Sequence, residues 1–274
     1  MVNVISFPGF GIHLTVNRVA FEVFGKEIFW YALIIMSGFL LGVAFVYHTC
    51  SKRGVSKDAV WDVAFYGLIF GLIGARIYYV IFDWESMDGN FWNVFKVWEG
   101  GLAIYGGLIG AVLTAYVYCK RKKIAVWKVF DVCAPGLLIG QSIGRWGNFV
   151  NAEVYGKATD LPWGMSINGG ACVHPLFLYE SLWNLLGLVL VILFRDKKKA
   201  DGQVFLFYLL WYGIGRLFLE GMRESQYILY VIPNILGISQ VVAFLAIIFS
   251  GIFLFRLSTS TKKQTLPENV EKND

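Results

Sequence analysis

The chain has 274 residues, of which 57% are hydrophobic and 16% are charged, and its mean hydropathy is +0.59. So few charges exclude an ordinary soluble globular domain, and several apolar runs approach or exceed the ~20 residues that cross the hydrocarbon core of a bilayer. The net charge of +5 alone would suggest an acidic partner. In a membrane protein, however, the distribution of charge matters more than its total. We therefore expect an integral membrane protein, and no nucleic-acid partner.

Residues 1–28 precede the first long apolar run and form the predicted extracytoplasmic N-terminal segment. The first basic residue is Arg18, and the apolar run that follows is longer than the core of a signal peptide. We therefore expect no cleavable signal peptide.

Seven apolar segments predict an all-α, polytopic membrane domain with outer loops over residues 29–257. The predicted helices span residues 29–49, 60–82, 102–119, 125–143, 176–194, 203–221 and 235–257. The fourth has the weakest pattern, because Lys128, Asp131 and Pro135 interrupt it. The remaining residues, 258–274, are polar and predict a disordered tail.

The segments between these helices alternate in charge. Sixteen of the 24 lysines and arginines lie in "CSKRGVSKD", "CKRKKIAVWK", "RDKKKADG" and the tail from Arg256 onward, whereas "DWESMDGNFWNVFKVWE" has four acids and one lysine. Because basic loops face the cytoplasm, the N-terminus is predicted outside and the C-terminus in the cytoplasm. An odd number of spans requires the same opposite ends.

Charged and polar side chains gather toward the outer ends of the predicted helices. With the orientation above, this outer layer contains Arg76, Arg145, Arg216, Arg223, Glu153, Glu180, Glu220, Tyr31, Tyr105 and His174. A single arginine near a helix end often only extends to lipid phosphates. Four arginines with three carboxylates are costly to place in a membrane, and they favour a polar cavity.

The sixth predicted helix carries a polar face. "WYGIGRLFLEGMRES" places four of these side chains at steps of four, four and three residues, which is one side of a helix: Tyr212, Arg216, Glu220 and Arg223. An ion pair within the helix that only neutralises charge is the alternative. The positive charge left after pairing favours an anion site.

Glycines cluster in the second and third predicted helices. "FGLIGARIYYV" contains Gly71 and Gly74, which allow close helix approach, and the third helix opens within "GGLAIYGGLIG". The glycines of the third helix fit a simple packing seam. They also leave Tyr105 able to approach a neighbouring group.

The segment "GRWGNFVNAEVYG", residues 144–156, directly follows the fourth predicted helix. Its three glycines permit turns that side chains would forbid, and Asn148 and Asn151 can bond freed backbone groups. Irregular backbone at membrane depth survives only where it is buried in protein or lines a cavity. Because Arg145 offers a planar fork of donors that suits a phosphate, we expect this segment to form the rim of an anion pocket.

Cysteine and histidine residues show no metal-binding pattern. The four cysteines are scattered and lack CxxC spacing, so neither a metal site nor a disulfide framework is expected. His174 precedes Pro175, where a structural role at the start of a helix competes with a catalytic one. We predict neither a metal nor a cofactor.

Five sequence blocks occur in a fixed order: "GARIYYV", "YGGLIG", "GRWGNFVNAEVYG", "HPLFLYES" and "YGIGRLFLEGMRES". This series resembles the prolipoprotein diacylglyceryl transferase family, and the resemblance covers residues 29–257. It implies a seven-span enzyme of the bacterial plasma membrane with an outward-facing site. Such an enzyme moves the diacylglyceryl group of phosphatidylglycerol onto the lipobox cysteine thiol of a preprolipoprotein, giving a thioether and glycerol phosphate.

The resemblance and the polar layer together assign candidate site residues. The expected catalytic residues are Arg145, Arg216, Tyr105 and Glu220. The expected substrate-binding residues are Tyr31, Arg76, Asn148, Asn151, Glu153, Gly156, His174, Glu180, Tyr212 and Arg223. Many members of the family have a histidine where this chain has Tyr105, so a single obligatory imidazole base is not expected here.

The expected chemistry is substitution at carbon. Arg145 and Arg216 would bind the phosphate and stabilise charge on the departing group, and the thiol would react as thiolate. Tyr105 or a carboxylate would accept the proton. The expected partners are phosphatidylglycerol, the signal peptides of preprolipoproteins and membrane lipid. The oligomeric state is open, and a monomer is compatible with this chemistry.

A lipid scramblase or an anion carrier is the alternative from another class of protein. It would use the same arginines without making bonds, and it would need a polar path toward the inner side. The inner halves of the predicted helices offer mainly Asp131 and Gln141. The polarity therefore stops partway, which favours an outward-opening enzyme pocket.

Overall fold

The computed structural model describes residues 2–84, 91–233 and 235–265. Seven α-helices dominate them: α1 (Trp30–Thr49), α2 (Lys57–Phe82), α3 (Ile104–Lys122), α4 (Val126–Asn151), α5 (Leu176–Arg195), α6 (Gln203–Gly221) and α7 (Ile238–Thr265). Each one corresponds to a predicted helix. The mostly helical fold is therefore confirmed.

Five of the described helices, α1, α2, α5, α6 and α7, are long and apolar enough to cross a membrane. Helices α3 and α4 are of similar length but more polar. Helix α3 ends in three consecutive basic residues, 120–122, and α4 contains Lys128 and Asp131. The chain is thus a multi-pass membrane protein, and the crossings of α3 and α4 stay predictions.

Helix α7 extends into the segment that the sequence predicts to be disordered. The Thr259 hydroxyl donates hydrogen bonds to the carbonyls of Phe255 and Arg256, at 3.1 and 3.0 Å, and the helix continues to Thr265. Helix α7 therefore includes residues 258–265, and the disorder of the tail stays a prediction. The rest of the predicted tail, 266–274, lies outside the described residues, as does the stretch 85–90 of the acidic loop.

Short strands accompany the helices, which the all-α prediction misses. They are β1 (Val2–Phe7), β2 (Ile12–Asn17), β3 (Val19–Val23), β4 (Lys26–Phe29), β5 (Ser166–Ile167), β6 (Tyr230–Ile232) and β7 (Leu236–Gly237). The segment predicted as 1–28 consequently contains two antiparallel hairpins, β1–β2 and β3–β4. The second hairpin turns at Phe24 and Gly25, both with positive φ, of 49° and 74°, as a tight hairpin turn requires.

Strand β1 also pairs with β5, which places Ile5 opposite Ile167. Ile5 is completely buried and packs with Met165 and Phe177. The start of the chain is therefore tied to the loop between α4 and α5. This pairing escapes the sequence pattern because the two strands lie far apart in the chain.

The chain divides into two compact units, one formed by residues up to Gly42 and from Cys133 onward, the other by Val43–Val132. In the first unit, α1 and α4 approach closely at Gly42, where an added Cβ would lie 2.6 Å from the Gly136 carbonyl oxygen. Helices α6 and α7 approach at Gly213, where a Cβ would lie 2.9 Å from an Ile247 side-chain carbon.

In the second unit, α2 and α3 pack along a glycine seam. A Cβ at Gly74 would lie 2.5 Å from the Gly106 carbonyl oxygen, and one at Gly71 would lie 3.4 Å from that of Gly107. Only residues without side chains allow the two backbones to come so close. The predicted packing seam is therefore confirmed.

Candidate active site

Helix α4 continues through the segment that the sequence predicts to be irregular. The helix runs to Asn151, so Arg145 and Gly147 stand on helical backbone. The chain turns only beyond it, at Ala152 and Val154, whose φ angles are 53° and 57°. The prediction of glycine-based turns from residue 144 onward is therefore wrong.

Gly147 makes room for a neighbouring side chain and does not form a turn. The ring of Tyr31, at the start of α1, covers it so closely that a Cβ there would lie 2.9 Å from Tyr31 Cδ2. Arg145 and Glu153 both act electrostatically on the Tyr31 phenol. Three predicted site residues are thus brought together at the end of α4.

Glu153 organises the end of α4. Its Oε1 accepts hydrogen bonds from Asn148 Nδ2 at 3.1 Å and from Asn151 Nδ2 at 3.2 Å, and its own backbone N–H donates to the Asn148 carbonyl at 3.0 Å. The two asparagines therefore bond a carboxylate, whereas the sequence predicts that they bond freed backbone groups. The carboxylate holds the last helical turn closed where Ala152 leaves the helix.

Gly156 allows two other backbone segments to approach. Its N–H donates to the His174 carbonyl at 3.0 Å, and the N–H of Lys157 donates to the Met222 carbonyl at 2.9 Å. A Cβ at Gly156 would lie 2.6 Å from His174 Cβ and 2.9 Å from the Met222 oxygen. Since Met222 precedes Arg223, this glycine helps to fix the backbone that carries Arg223.

The side chain of His174 contacts aromatic residues near Gly156. Its Nδ1 is 3.4 Å from the Tyr179 hydroxyl, which accepts a hydrogen bond from Trp163 Nε1 at 2.6 Å. This small aromatic network stands at the start of α5. These contacts are those of a residue that supports the start of α5, and the part of His174 in substrate binding stays a prediction.

Five charged side chains meet between α4, α5 and α6. Glu180, on α5, is at the centre: its Oε2 lies 2.5 Å from Arg145 Nε, and its Oε1 lies 2.8 Å from Arg223 Nη2 and 3.9 Å from Arg216 Nη1. One carboxylate therefore contacts three arginines, one from α4 and two from α6 and the residues directly after it. Glu220 completes the set, which we call the arginine–glutamate cluster.

Glu220 forms ion pairs with two of these arginines. Its side chain is 1% exposed, and its Oε2 lies 3.0 Å from Arg216 Nη2 and 3.3 Å from Arg223 Nε. The same Arg216 nitrogen also donates to Ser239 Oγ of α7 at 3.1 Å. The intrahelical ion pair kept as an alternative does form, but three arginines against two glutamates still leave one positive charge.

The three arginines differ in exposure. Arg223 is 7% exposed, and burial, followed by the charge of Arg216, lowers the pKa of its guanidinium against the opposing effects of Glu180 and Glu220. Arg145 and Arg216 are 22% and 16% exposed. These two line a narrow cleft, whose other lining residues are Glu180, Trp183, Asn184, Tyr212, Gly215 and Leu219. The terminal nitrogens of Arg145 have no hydrogen-bond partner within the described chain.

Two reciprocal contacts hold the helices that carry the cluster. Between α4 and α5, the hydroxyls of Ser142 and Ser181 each donate to the other's carbonyl, both at 2.9 Å. Between α5 and α6, the indoles of Trp183 and Trp211 stack 4.2 Å apart, and each donates to the other's carbonyl, at 3.1 and 3.0 Å. Ser181 and Trp183 lie within the helical turn that directly follows Glu180. Their contacts therefore position the Glu180 carboxylate.

Two predicted site residues belong to the second unit. The guanidinium of Arg76 donates to four backbone carbonyls, those of Asn93 (2.5 Å), Val94 (2.8 Å), Gly100 (2.7 Å) and Gly101 (2.9 Å). Arg76 thereby anchors the loop that precedes α3. Tyr105 stands in the first turn of α3 and is partly buried.

Some cleft residues were not predicted from the sequence, namely Trp183, Asn184, Gly215 and Leu219. Asn184 follows Glu180 by four residues and thus shares its side of α5, a spacing that would have identified it. Trp183 and Gly215 carry no such signal, because an indole and a glycine are ordinary in an apolar helix. Their contact exists only once α5 and α6 pack together.

The fold and the cluster define a multi-pass membrane protein with a positively charged cleft lined by helices. Residues 18–256 match the sequence profile of the family described as prolipoprotein diacylglyceryl transferase. Proteins named phosphatidylglycerol–prolipoprotein diacylglyceryl transferase are similar to the chain. That of Finegoldia magna is 43% identical over 87% of this chain and 94% of its own length, and that of Clostridioides difficile is 40% identical over 92% and 100%. The chain belongs to the prolipoprotein diacylglyceryl transferase family, and it is a transferase.

Proposed function

We propose that this transferase moves the diacylglyceryl group of phosphatidylglycerol onto the lipobox cysteine thiol of a preprolipoprotein signal peptide, and that the arginine–glutamate cluster is its active site. Family membership and the names of the relatives support the reaction. The observation that carries the site is the cleft in which Arg145 and Arg216 are the two partly exposed arginines.

The lipid phosphate binds between Arg145 and Arg216. Glu180 engages Arg145 through Nε at 2.5 Å, which leaves the two terminal nitrogens for phosphate oxygens. A guanidinium whose orientation is already set loses less conformational freedom when it binds an anion. The single positive charge of the cluster matches the single negative charge of a phosphodiester lipid.

The reaction exchanges one bond at carbon for another. The thiolate sulfur attacks the phosphate-bearing carbon of the diacylated glycerol, so a carbon–sulfur bond forms there as the bond from that carbon to the phosphate oxygen breaks. The electron pair of the broken bond leaves with glycerol phosphate, and Arg145 and Arg216 stabilise the charge that develops there. Donors fixed in place before the reaction are the most effective, because they need no rearrangement.

The carboxylates of the cluster are better suited to positioning than to accepting the thiol proton. Glu180 contacts three arginines, and Glu220 is buried against Arg216 and Arg223. Protonating either one would leave arginines without a counter-charge. Arginines near the thiol favour its thiolate form. Tyr105 stays a candidate acceptor from the sequence alone.

In this proposal, the remaining site residues either line the cleft or support the backbone around it. Tyr212 lines the cleft, while Tyr31, Asn148, Asn151, Glu153 and Gly156 shape the end of α4 and the loop behind it. We place the cleft toward the outer leaflet of the bacterial cell membrane. The alternating loop charges support this orientation.

A direct assay tests the reaction. Purified protein, phosphatidylglycerol and a lipobox peptide are mixed, and the peptide mass and released glycerol phosphate are measured. We expect a diacylglyceryl adduct that the matched peptide with serine in place of the lipobox cysteine does not form. An anion carrier or a scramblase would use the same arginines and give no adduct. Absence of both products with folded protein would contradict the proposed function.

A further inference from the structure

One polar side chain of the cleft has no role in the arginine–glutamate cluster. Asn184 lies on α5 one turn after Glu180, is only 4% exposed and lines the cleft with Arg145 and Arg216. Its Oδ1 is buried and has no hydrogen-bond partner within the described chain. Buried amide oxygens in folded proteins are nearly always paired with protein or with water, so this one takes its donor from outside the protein, in the cleft that it lines.

The chemistry of the missing partner follows from the acceptor. A carbonyl oxygen pairs with an O–H or N–H group and has no use for an ester or phosphate oxygen. The two arginines of the cleft attract an anion, and the excess positive charge of the cluster disfavours a headgroup that carries an ammonium ion. A phosphodiester whose headgroup bears hydroxyls satisfies both the guanidinium groups and the amide.

We infer that Asn184 accepts a hydrogen bond from a hydroxyl of the lipid headgroup whose phosphate lies on Arg145 and Arg216. Asn184 thereby selects a polyol phosphodiester lipid over one whose headgroup has no hydroxyl. This inference rests on the proposed function and names a specificity residue that the family motifs do not point to. Tyr212, on α6, also lines the cleft and limits the space into which the headgroup extends.

The test removes the two halves of the hydrogen bond separately. The lipids are phosphatidylglycerol and phosphatidylpropanol, whose headgroup has the same three carbons without hydroxyls, and the variant is Asn184→Leu, of similar volume. With phosphatidylglycerol we expect a loss in kcat/KM of about tenfold, mainly through KM, which is the size of one hydrogen bond. With phosphatidylpropanol we expect wild type and variant to agree within about twofold, because the contact is already lost.

Gln141→Leu is the matched control. Gln141 is a second amide of the same unit whose Oε1 is buried without a partner in the described chain, but its Nε2 donates to Tyr208 at 2.9 Å and it does not line the cleft. This change should leave the ratio of the two lipids unaltered. An equal loss with both lipids in Asn184→Leu would assign Asn184 a structural role and overturn the inference.

If Asn184→Leu does not fold, inhibition by water-soluble headgroup analogues tests the same hydrogen bond in a second variant. Inhibition of Asn184→Ala by glycerol phosphate and by propyl phosphate is compared with that of wild type. We expect only glycerol phosphate to weaken as an inhibitor, and equal weakening of both would overturn the inference. Wild-type protein that makes no adduct from phosphatidylglycerol contradicts the proposed function itself, which is a separate outcome.

Discussion

Arg216 serves three interactions with one guanidinium. Its Nη2 pairs with Glu220 and also donates to Ser239, while its Nη1 lies 3.9 Å from Glu180. A planar fork of donors can hold these groups and still present an edge to a phosphate. A lysine ammonium at the same place would be a point charge with no such geometry.

Arg216→Lys should therefore lose about 10²-fold in kcat/KM, the cost of removing one fixed donor from a site of developing charge. The measurement is the peptide adduct assay with phosphatidylglycerol. Arg256→Lys, at an exposed position of α7, is the control and should be unaffected. Near-normal activity of the Lys variant, with tolerance for exchanging Arg216 and Glu220, would reduce Arg216 to a counter-ion.

Tyr105 tests whether the transfer needs a dedicated base. Loss of a general base costs about 10²–10⁴-fold in rate. A free phenol is protonated at neutral pH and accepts a proton poorly, and a thiol held beside arginines is already partly ionised. We expect Tyr105→Phe to lose less than about 10²-fold and Tyr105→Ala to lose more, in single-turnover rates. A larger loss in folded Tyr105→Phe that still binds phosphatidylglycerol would make the phenol a participant.

At the level of elements, the contact between α5 and α6 decides how the charged residues face one another. Trp183 and Trp211 are each followed four residues later by a glycine, Gly187 and Gly215, and each indole lies against the glycine of the other helix. The helices are thus joined by two stacked rings and two donated hydrogen bonds. Arg216 comes directly after Gly215, so the contact sets its position.

Gly215→Ala should disturb this contact directly, because an added Cβ would overlap the Trp183 indole. Overpacking of this kind costs about 1–3 kcal/mol, which we expect as a lower unfolding temperature in detergent together with reduced activity. Gly251→Ala, on α7 with open space around the glycine, should cause no loss. Unchanged stability and activity in Gly215→Ala would show that α5 and α6 can shift without harm to the site.

The helices differ in how well their ends could be predicted. Helix α6 covers the predicted residues 203–221, and α5 exceeds its prediction by a single residue, because continuous apolar runs with polar flanks define both. Helix α4 extends eight residues beyond its prediction. Its glycines and asparagines favour a turn locally, whereas the ring of Tyr31 and the carboxylate of Glu153 keep the segment helical.

The sequence predicted which residues belong to the candidate site better than it predicted which of them form ion pairs. The spacing along α6 predicts that Arg216, Glu220 and Arg223 share a face, and the structure places them together. The central position of Glu180 depends on how α5 packs against α4 and α6, which no spacing within one helix encodes. Asn184 was missed because a single asparagine among apolar residues has no charge to draw attention.

For the whole molecule, the pairing of β1 with β5 constrains how the chain is threaded. Both strands must lie on the same side of the membrane, so the chain crosses an even number of times between them. Four crossings, α1 to α4, satisfy this condition. The orientation predicted from the loop charges would place both strands outside.

Cysteine labelling of intact cells tests this orientation. In a background without the four native cysteines, Trp98→Cys should react with an impermeant thiol reagent from outside, because it lies in the predicted outer loop. Lys197→Cys, in the basic loop between α5 and α6, should react only after the cells are opened. Both side chains are exposed, so access to the reagent decides the result. Reversed labelling would place the cleft at the inner leaflet.

The strand pair also sets an order of events during synthesis. Residues 2–7 leave the ribosome about 160 residues before Ile167, which lies in the second partner strand of β1. At about 5–20 residues per second this interval lasts roughly 10–30 s. During this interval the edge of β1 cannot pair with β5, and Ile5 cannot pack with Met165 and Phe177. Strand β1 is therefore made long before its final pairing can form, and a change in β1 would act on assembly before it acts on catalysis.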